Sequence, residues 1–222
     1  MLDWFSYWWY ESWYCVNWAA FTLGFSFRSV GSHNVPPQGA ALIVANHQSF
    51  LDPTLVGVAA RRQLTFLARK TLFKNPIFGA FLRSVNCVPV DQEGVAKEGL
   101  KTAVEKLHAG RALLIFPEGE RTWKGPMQQL KPGIQLLIKR APAPIVPVGI
   151  AGAYEAYPRT AKYPVLSPLF LPAQKKGALA ISIGRPLDPK RLLELPREQL
   201  LTELFDAIRA EQIKAEQLRR KP

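Results

Sequence analysis

The chain has 222 residues, 48% of them apolar and 21% charged, ordinary globular proportions that favour one α/β domain and exclude wholesale disorder. Two cysteines, Cys15 and Cys87, exclude a disulfide framework, and they form no C-x-x-C zinc pair. With 29 Lys and Arg against 17 Asp and Glu, the formal charge is +12, which points to anionic partners: nucleic acid, a membrane surface or phosphorylated molecules.

Residues 1–27 hold five of the six Trp, three of the six Tyr and four of the twelve Phe, yet no Lys or Arg. Their only charges are Asp3 and Glu11. Without a positive start or a small-residue cleavage site, this is not a secretory signal. The uncharged residues 12–27 would make a helix of roughly 24 Å, short of a hydrocarbon core of ~30 Å. Trp and Tyr favour the headgroup boundary, where an apolar ring and a polar tip are both satisfied. The segment 1–28 therefore reads as one or two short helices lying in a membrane interface, followed by a domain over 29–222. A buried core helix or an aromatic dimer interface is the competing reading.

Beyond Arg28 strands and helices alternate. Residues 40–45 (Ala-Ala-Leu-Ile-Val-Ala) form a short apolar run after Pro36, Pro37 and Gly39, as a buried strand does. Asp52-Pro53 predicts a helix N-cap and first turn, with the helix running to about Arg62. Strands are expected at 64–68, 85–90, 111–116, 145–150 and 178–184, and helices at 95–109 and 133–140. Residues 154–176 contain four prolines and no clear period, which predicts a long loop or lid. One apolar stripe (Leu200, Leu201, Leu204, Phe205, Ile208, Ile213) marks a helix over 196–218. The pattern predicts a single α/β domain with a mixed, mainly parallel sheet covered by helices.

The first candidate site follows the first of these strands: Asn46-His47-Gln48-Ser49-Phe50-Leu51-Asp52. On a continuous helix His47 and Asp52 would point about 140° apart. A turn before the helix lets them meet, and Asp52 can then accept the ring N–H of His47 and fix its tautomer, making His47 a general base. No Ser or Cys stands in a nucleophile-elbow pattern, so the base would act directly on a substrate hydroxyl. The second is Phe116-Pro117-Glu118-Gly119-Glu120-Arg121-Thr122 at the end of strand 111–116. A turn of this kind offers backbone N–H groups and a guanidinium to an anion. Acid-free stretches at 53–90 and 121–154 flank the two motifs, and Lys70 and Lys131 are added to Arg121 as candidate anion ligands.

Asn46-His47-x-x-x-x-Asp52 followed by Phe116-Pro117-Glu118-Gly119-x-Arg121 resembles the glycerolipid acyltransferases of the 1-acyl-glycerol-3-phosphate acyltransferase type. The likeness extends over residues 28–187. It takes in residues 66–70 with 74–79, then Val88-Pro89-Val90-Asp91, Leu130-Lys131-Pro132-Gly133, residues 145–150, and Ile183-Gly184-x-Pro186-Leu187. It implies acyl transfer from acyl-CoA or acyl-carrier protein to a lysophospholipid hydroxyl, most readily that of 1-acyl-glycerol-3-phosphate. His47 and Asp52 would be catalytic, Glu118, Gly119, Arg121, Lys70 and Lys131 would bind substrate, and no metal or organic cofactor would be needed. The protein would act on membrane lipids at the cytoplasmic face. Two departures concern the acceptor headgroup: Glu120 stands where the family usually has Thr, and Gln92 where it usually has Arg. They leave room for a different lysolipid. Two further classes compete: a non-catalytic lipid-binding module of the same fold, and a nucleic-acid binder. The second lacks helix-turn-helix, zinc and RNP patterns, and its aromatics are segregated from its basic stretches.

Overall fold

The structure describes residues 4–90, 96–174 and 176–221. In this computed structural model the chain begins with α1 (Trp4–Phe25), β1 (Arg28–Val30) and a 3₁₀ turn (Ser32–Asn34), then β2 (Ala41–Ala45), α2 (Asp52–Ala60) and β3 (Leu64–Arg69). A second 3₁₀ turn (Lys70–Phe73) leads into α3 (Pro76–Ser84), β4 (Cys87–Val90), α4 (Ala96–His108) and β5 (Ala112–Ile115). Next come α5 (Gly133–Arg140), β6 (Ile145–Ala151), α6 (Ala153–Ala156), β7 (Ala180–Ile183), α7 (Pro189–Leu193) and α8 (Arg197–Leu218).

Among the described residues seven strands share one sheet in the order β1-β7-β6-β2-β5-β3-β4. From β6 to β4 every neighbouring pair is parallel; β7 runs antiparallel to β6, and β1 follows β7. The sheet is mixed and mainly parallel, as the alternating pattern predicts. Period-two alternation sorts β2 between two cores. Ala41, Ile43 and Ala45 pack with Phe21 and Phe25 of α1 and Leu55 and Val58 of α2. Leu42 and Val44 face the opposite side, with Leu107 of α4, Leu137 of α5 and Leu204 of α8. Helices thus cover both faces, which is why the central strands read as continuous apolar runs. At Gly149 in β6 an added Cβ would lie 2.0 Å from the Gln212 backbone nitrogen, so α8 rests directly on that strand.

Several boundaries differ from the sequence reading. The helix starting at Asp52 ends at Ala60 because Arg61 turns left-handed, with φ of 50°. Leu51, not Asp52, is the capping residue, and the Asp52 carboxylate turns back to the preceding loop. The strand expected over 85–90 begins at Cys87, after the unforeseen α3. Asp91 and Gln92 of the second motif, and the first residue of the helix expected over 95–109, lie outside the described residues. Segment 154–176 is largely irregular, as its prolines predict, but it is tied down by backbone hydrogen bonds to α1.

Residues 4–25 form one helix rather than two short ones. It is not detached from the rest of the chain: Phe21, Phe25 and Phe27 are buried in the core. Trp8, Val16 and Trp18 remain exposed, while Trp9 donates through Nε1 to the Ser84 hydroxyl of α3 at 3.0 Å. Among the described residues no helix is long and apolar enough to cross a membrane.

Candidate active site

Parallel strands deliver their carboxyl ends to one edge of the sheet, and the two sequence motifs leave adjacent strands there, β2 and β5. Asn46 anchors the first loop. It is buried, its Nδ2 donates to the Ile150 carbonyl at 3.0 Å, and its Oδ1 accepts the Ile150 N–H at 2.7 Å, so one side chain bridges to β6. The chain then turns sharply, and the turn brings His47 and Asp52 together. Nδ1 of His47 lies 2.7 Å from Oδ2 of Asp52. The same oxygen accepts the N–H groups of Gln48 at 2.5 Å and Ser49 at 2.7 Å. A buried carboxylate holding three donors has a fixed position, and it orients the imidazole through Nδ1. The ring is also stacked on Phe116, centroids 3.9 Å apart and planes 13° from parallel. Nε2 is left without a protein partner among the described residues.

The second loop is locked to the first. Glu118 accepts the His47 N–H through Oε1 at 2.6 Å and the Gln128 N–H through Oε2 at 2.7 Å, while the Thr122 N–H donates to the His47 carbonyl at 2.9 Å. Glu118 is 1% exposed. Burial pushes its carboxyl up to about 7, against the opposing pull of the two N–H donors. Both oxygens of Glu118 accept backbone N–H groups, so its side chain braces the His47 loop from behind. Gly119 turns with φ of +81°, a conformation that strains any side-chain-bearing residue.

Arg121 stacks its guanidinium on Phe50, Cζ 3.4 Å from the ring centroid. Its Nη1 is buried and has no protein acceptor. Burial and the neighbouring Arg159 and Arg69 guanidiniums lower its proton affinity, a cationic neighbourhood with a donor to spare. Lys131 lies beside the loop: its backbone N–H donates to the Pro117 carbonyl at 2.7 Å, and an added Cβ at Gly119 would sit 3.2 Å from its Cγ. Lys70 begins the 3₁₀ turn at the carboxyl end of β3, exposed on the same edge of the sheet.

Sequence reasoning missed Arg159 and Phe116. Arg159 stacks on Trp123, Cζ 3.3 Å from the ring centroid, and its Nη1 lies 3.3 Å from both the Glu120 carboxylate and the Arg121 carbonyl. It comes from the segment after β6, 38 positions beyond Arg121, and no local pattern linked the two. Phe116 belongs to the second motif, but as a strand-end residue it carries no local signal that His47 lies on its face.

The arrangement is an oriented imidazole beside a cluster of guanidiniums, suited to taking a proton from a group whose other end is anionic. The protein-family model described as Acyltransferase matches residues 26–151, from just before β1 to the end of β6. A 1-acyl-sn-glycerol-3-phosphate acyltransferase of Bacillus subtilis is 30% identical over 176 residues, 79% of this chain and 80% of that protein. One of Streptococcus pneumoniae is 33% identical over 113 residues, half of this chain and 41% of its own length. The crystal structure of the 1-acyl-sn-glycerophosphate (LPA) acyltransferase PlsC of Thermotoga maritima superposes with a TM-score of 0.76 at 26% identity, over 94% of this chain and 79% of that one. The matched region holds both loops and the strands that carry them, and the chain belongs to the acyltransferase family.

Proposed function

We propose that this protein transfers a fatty acyl group from an acyl thioester, acyl-CoA or acyl-carrier protein, to the free hydroxyl of 1-acyl-glycerol-3-phosphate, giving phosphatidic acid. The observation that carries this is the His47 Nδ1–Asp52 contact of 2.7 Å, which leaves Nε2 open, together with an Arg121 guanidinium from the neighbouring loop whose Nη1 has no protein acceptor. Nε2 takes the hydroxyl proton as the hydroxyl oxygen attacks the thioester carbonyl carbon. The tetrahedral oxyanion collapses, the carbon–sulfur bond breaks, and the imidazolium returns its proton to the departing thiolate. Thiolate is a good leaving group, so one base serves both steps, and neither a metal nor an organic cofactor is required.

The N–H groups of Gln48 and Ser49 are committed to Asp52 and that of Gly119 to the Phe116 carbonyl. Those of Glu120 and Arg121 have no internal acceptor among the described residues and are the available oxyanion donors. Arg121, with its unpaired Nη1, holds the acceptor phosphate, and Lys131 and Lys70 add charge at the rim. The exposed Trp face of α1 supports docking at the membrane interface, on the cytoplasmic side where a water-soluble thioester donor is found.

Incubating the purified protein with a panel of lysolipids and labelled acyl-CoA or acyl-carrier protein, with products read by mass spectrometry, tests the assignment. Phosphatidic acid is expected, and His47→Ala abolishes it. A product from a zwitterionic lysolipid in preference would reassign the acceptor, and unchanged turnover in His47→Ala would remove the mechanism.

A further inference from the structure

Bulky apolar side chains occupy the apex of a turn where small polar residues are the rule. The Leu171 N–H donates to the Pro168 carbonyl at 3.2 Å, closing a four-residue turn with Leu169 and Phe170 at its centre. Gly, Asn, Asp and Ser dominate such positions for conformational reasons and because they face water. Here Phe170 is 81% exposed, and Tyr163, Val165, Leu166, Leu169 and Leu171 are exposed around it.

Loose packing does not explain this exposure. The Ser167 and Leu169 N–H groups each donate at 2.9 Å, to the Gly24 and Leu23 carbonyls at the end of α1. Arg220 donates to the carbonyls of Pro168, Leu169 and Leu171 at 3.2, 3.0 and 2.7 Å. The fold thus holds an apolar tip out into solvent. The segment leaves the carboxyl edge of β6 and passes through Tyr157 and Arg159 beside the candidate site, so tip and site share one edge of the sheet.

Two features identify what covers it. Between Glu155 and Asp188 the sequence has no acidic residue, while Lys162 and Lys176 flank the tip in the chain and the Arg220 guanidinium is bonded to its carbonyls, so its charged neighbours are cations. Leu169, Phe170 and Leu171 are exposed in succession, and successive side chains leave a chain in different directions. A rigid protein partner covers one face; a fluid lipid interface accepts all of them. An apolar tip flanked by cations is the pattern that inserts among anionic headgroups.

We propose that residues 163–172 form a bilayer-inserting tip that seats the carboxyl edge of the sheet on an anionic membrane surface, separately from the outward Trp face of α1. The proposal does not depend on which acceptor is acylated. Sedimentation of the full chain with phosphatidylcholine vesicles containing phosphatidylglycerol tests it. Phe170→Asp should lower the partition coefficient about tenfold or more, since one buried aromatic side chain carries at least that much. Phe170→Trp should keep it. In parallel, turnover of a short-chain 1-acyl-glycerol-3-phosphate below its critical micelle concentration should be unchanged by Phe170→Asp. If the wild type fails to turn over that acceptor, the assigned reaction is wrong while the vesicle result still decides the tip. Equal vesicle binding by Phe170→Asp and wild type overturns the proposal. So does a wild-type dimer, seen by light scattering, that Phe170→Asp splits, because the tip is then an interface between copies.

Discussion

Glu120 and Arg159 form an ion pair of 3.3 Å at the mouth of the candidate site, and the Arg159 guanidinium is stacked on Trp123. An anion in a loop suited to a phosphomonoester would oppose binding if it stood alone. Here its charge is offset by a cation that the sequence supplies from beyond β6. Arg159 is mostly shielded and its Nη1 also reaches the Arg121 carbonyl, so the pair fixes the loop that carries Arg121.

The pairing predicts a coupled response rather than two independent ones. Arg159→Gln should raise the acceptor KM several-fold, because Glu120 is left unpaired beside a dianion. Glu120→Thr alone should change KM by less than that. The double variant Glu120→Thr with Arg159→Gln should recover part of the loss, which a steady-state double-mutant cycle would measure. Strictly additive effects on KM would mean that the two side chains act separately.

At the base, the two partners should separate in stability as well as in rate. His47 is half-buried at a loop, and His47→Ala should abolish acyl transfer while costing about 1 kcal/mol of stability. Asp52 is fully buried and holds the Gln48 and Ser49 N–H groups in addition to the imidazole. Asp52→Asn should lower the rate by a few orders of magnitude through lost control of the tautomer. Asp52→Ala should in addition cost about 2 kcal/mol, since buried donors are stranded. Rates come from product formation and stabilities from denaturant titration; comparable destabilisation by His47→Ala and Asp52→Ala would show that the loop is not organised around the carboxylate.

Glu118 makes stability depend on pH. Burial raises its carboxyl to about 7 from an ordinary 4.5. A raised acid binds its proton more tightly in the folded state, so its contribution is complete below about 4.5 and is lost as pH rises through about 7. The loss amounts to about 3 kcal/mol at most, on the order of 1.4 kcal/mol for each pH unit between those values. Denaturant midpoints at pH 5 and pH 8 should fall for the wild type, and the fall should be smaller in Glu118→Gln. An equal fall in both would place the titrating group elsewhere.

The legible and illegible parts of this molecule divide along a physical line. The central strands were readable because strands buried on both faces carry continuous apolar runs, and α5 was readable from Gly133 to Arg140 because an apolar period lies between a Pro-Gly start and basic last-turn residues. The meeting of His47 and Asp52 followed from a spacing that needs a turn. α3 was missed because Pro76 to Ser84 is short and exposes Ile77 and Phe78, so no buried stripe marks it. The dual character of α1 was also hidden: aromatic residues mark both a core and an interface, and only packing showed Phe21 and Phe25 buried while Trp8 and Trp18 face outward. Arg159 and the partners of Glu118 are tertiary facts with no local signature.

Arg121 is the residue on which the acceptor headgroup should depend most. Its guanidinium is flat against Phe50, and a stacked planar cation presents its N–H edge in a fixed direction. Lysine has neither the plane nor the paired donors. Arg121→Lys should therefore raise the acceptor KM at least tenfold, about 1.4 kcal/mol, with kcat less affected and the thioester KM nearly unchanged. Phe50→Leu keeps an apolar surface but removes the ring face, and should raise the acceptor KM by a smaller factor through looser placement of Arg121. Because Phe50 is 57% exposed, this substitution should leave stability within about 0.5 kcal/mol. If Arg121→Lys lowers kcat and leaves the acceptor KM untouched, Arg121 serves the transition state rather than the headgroup. The phosphate would then have to be held by Arg159, Lys131 or Lys70.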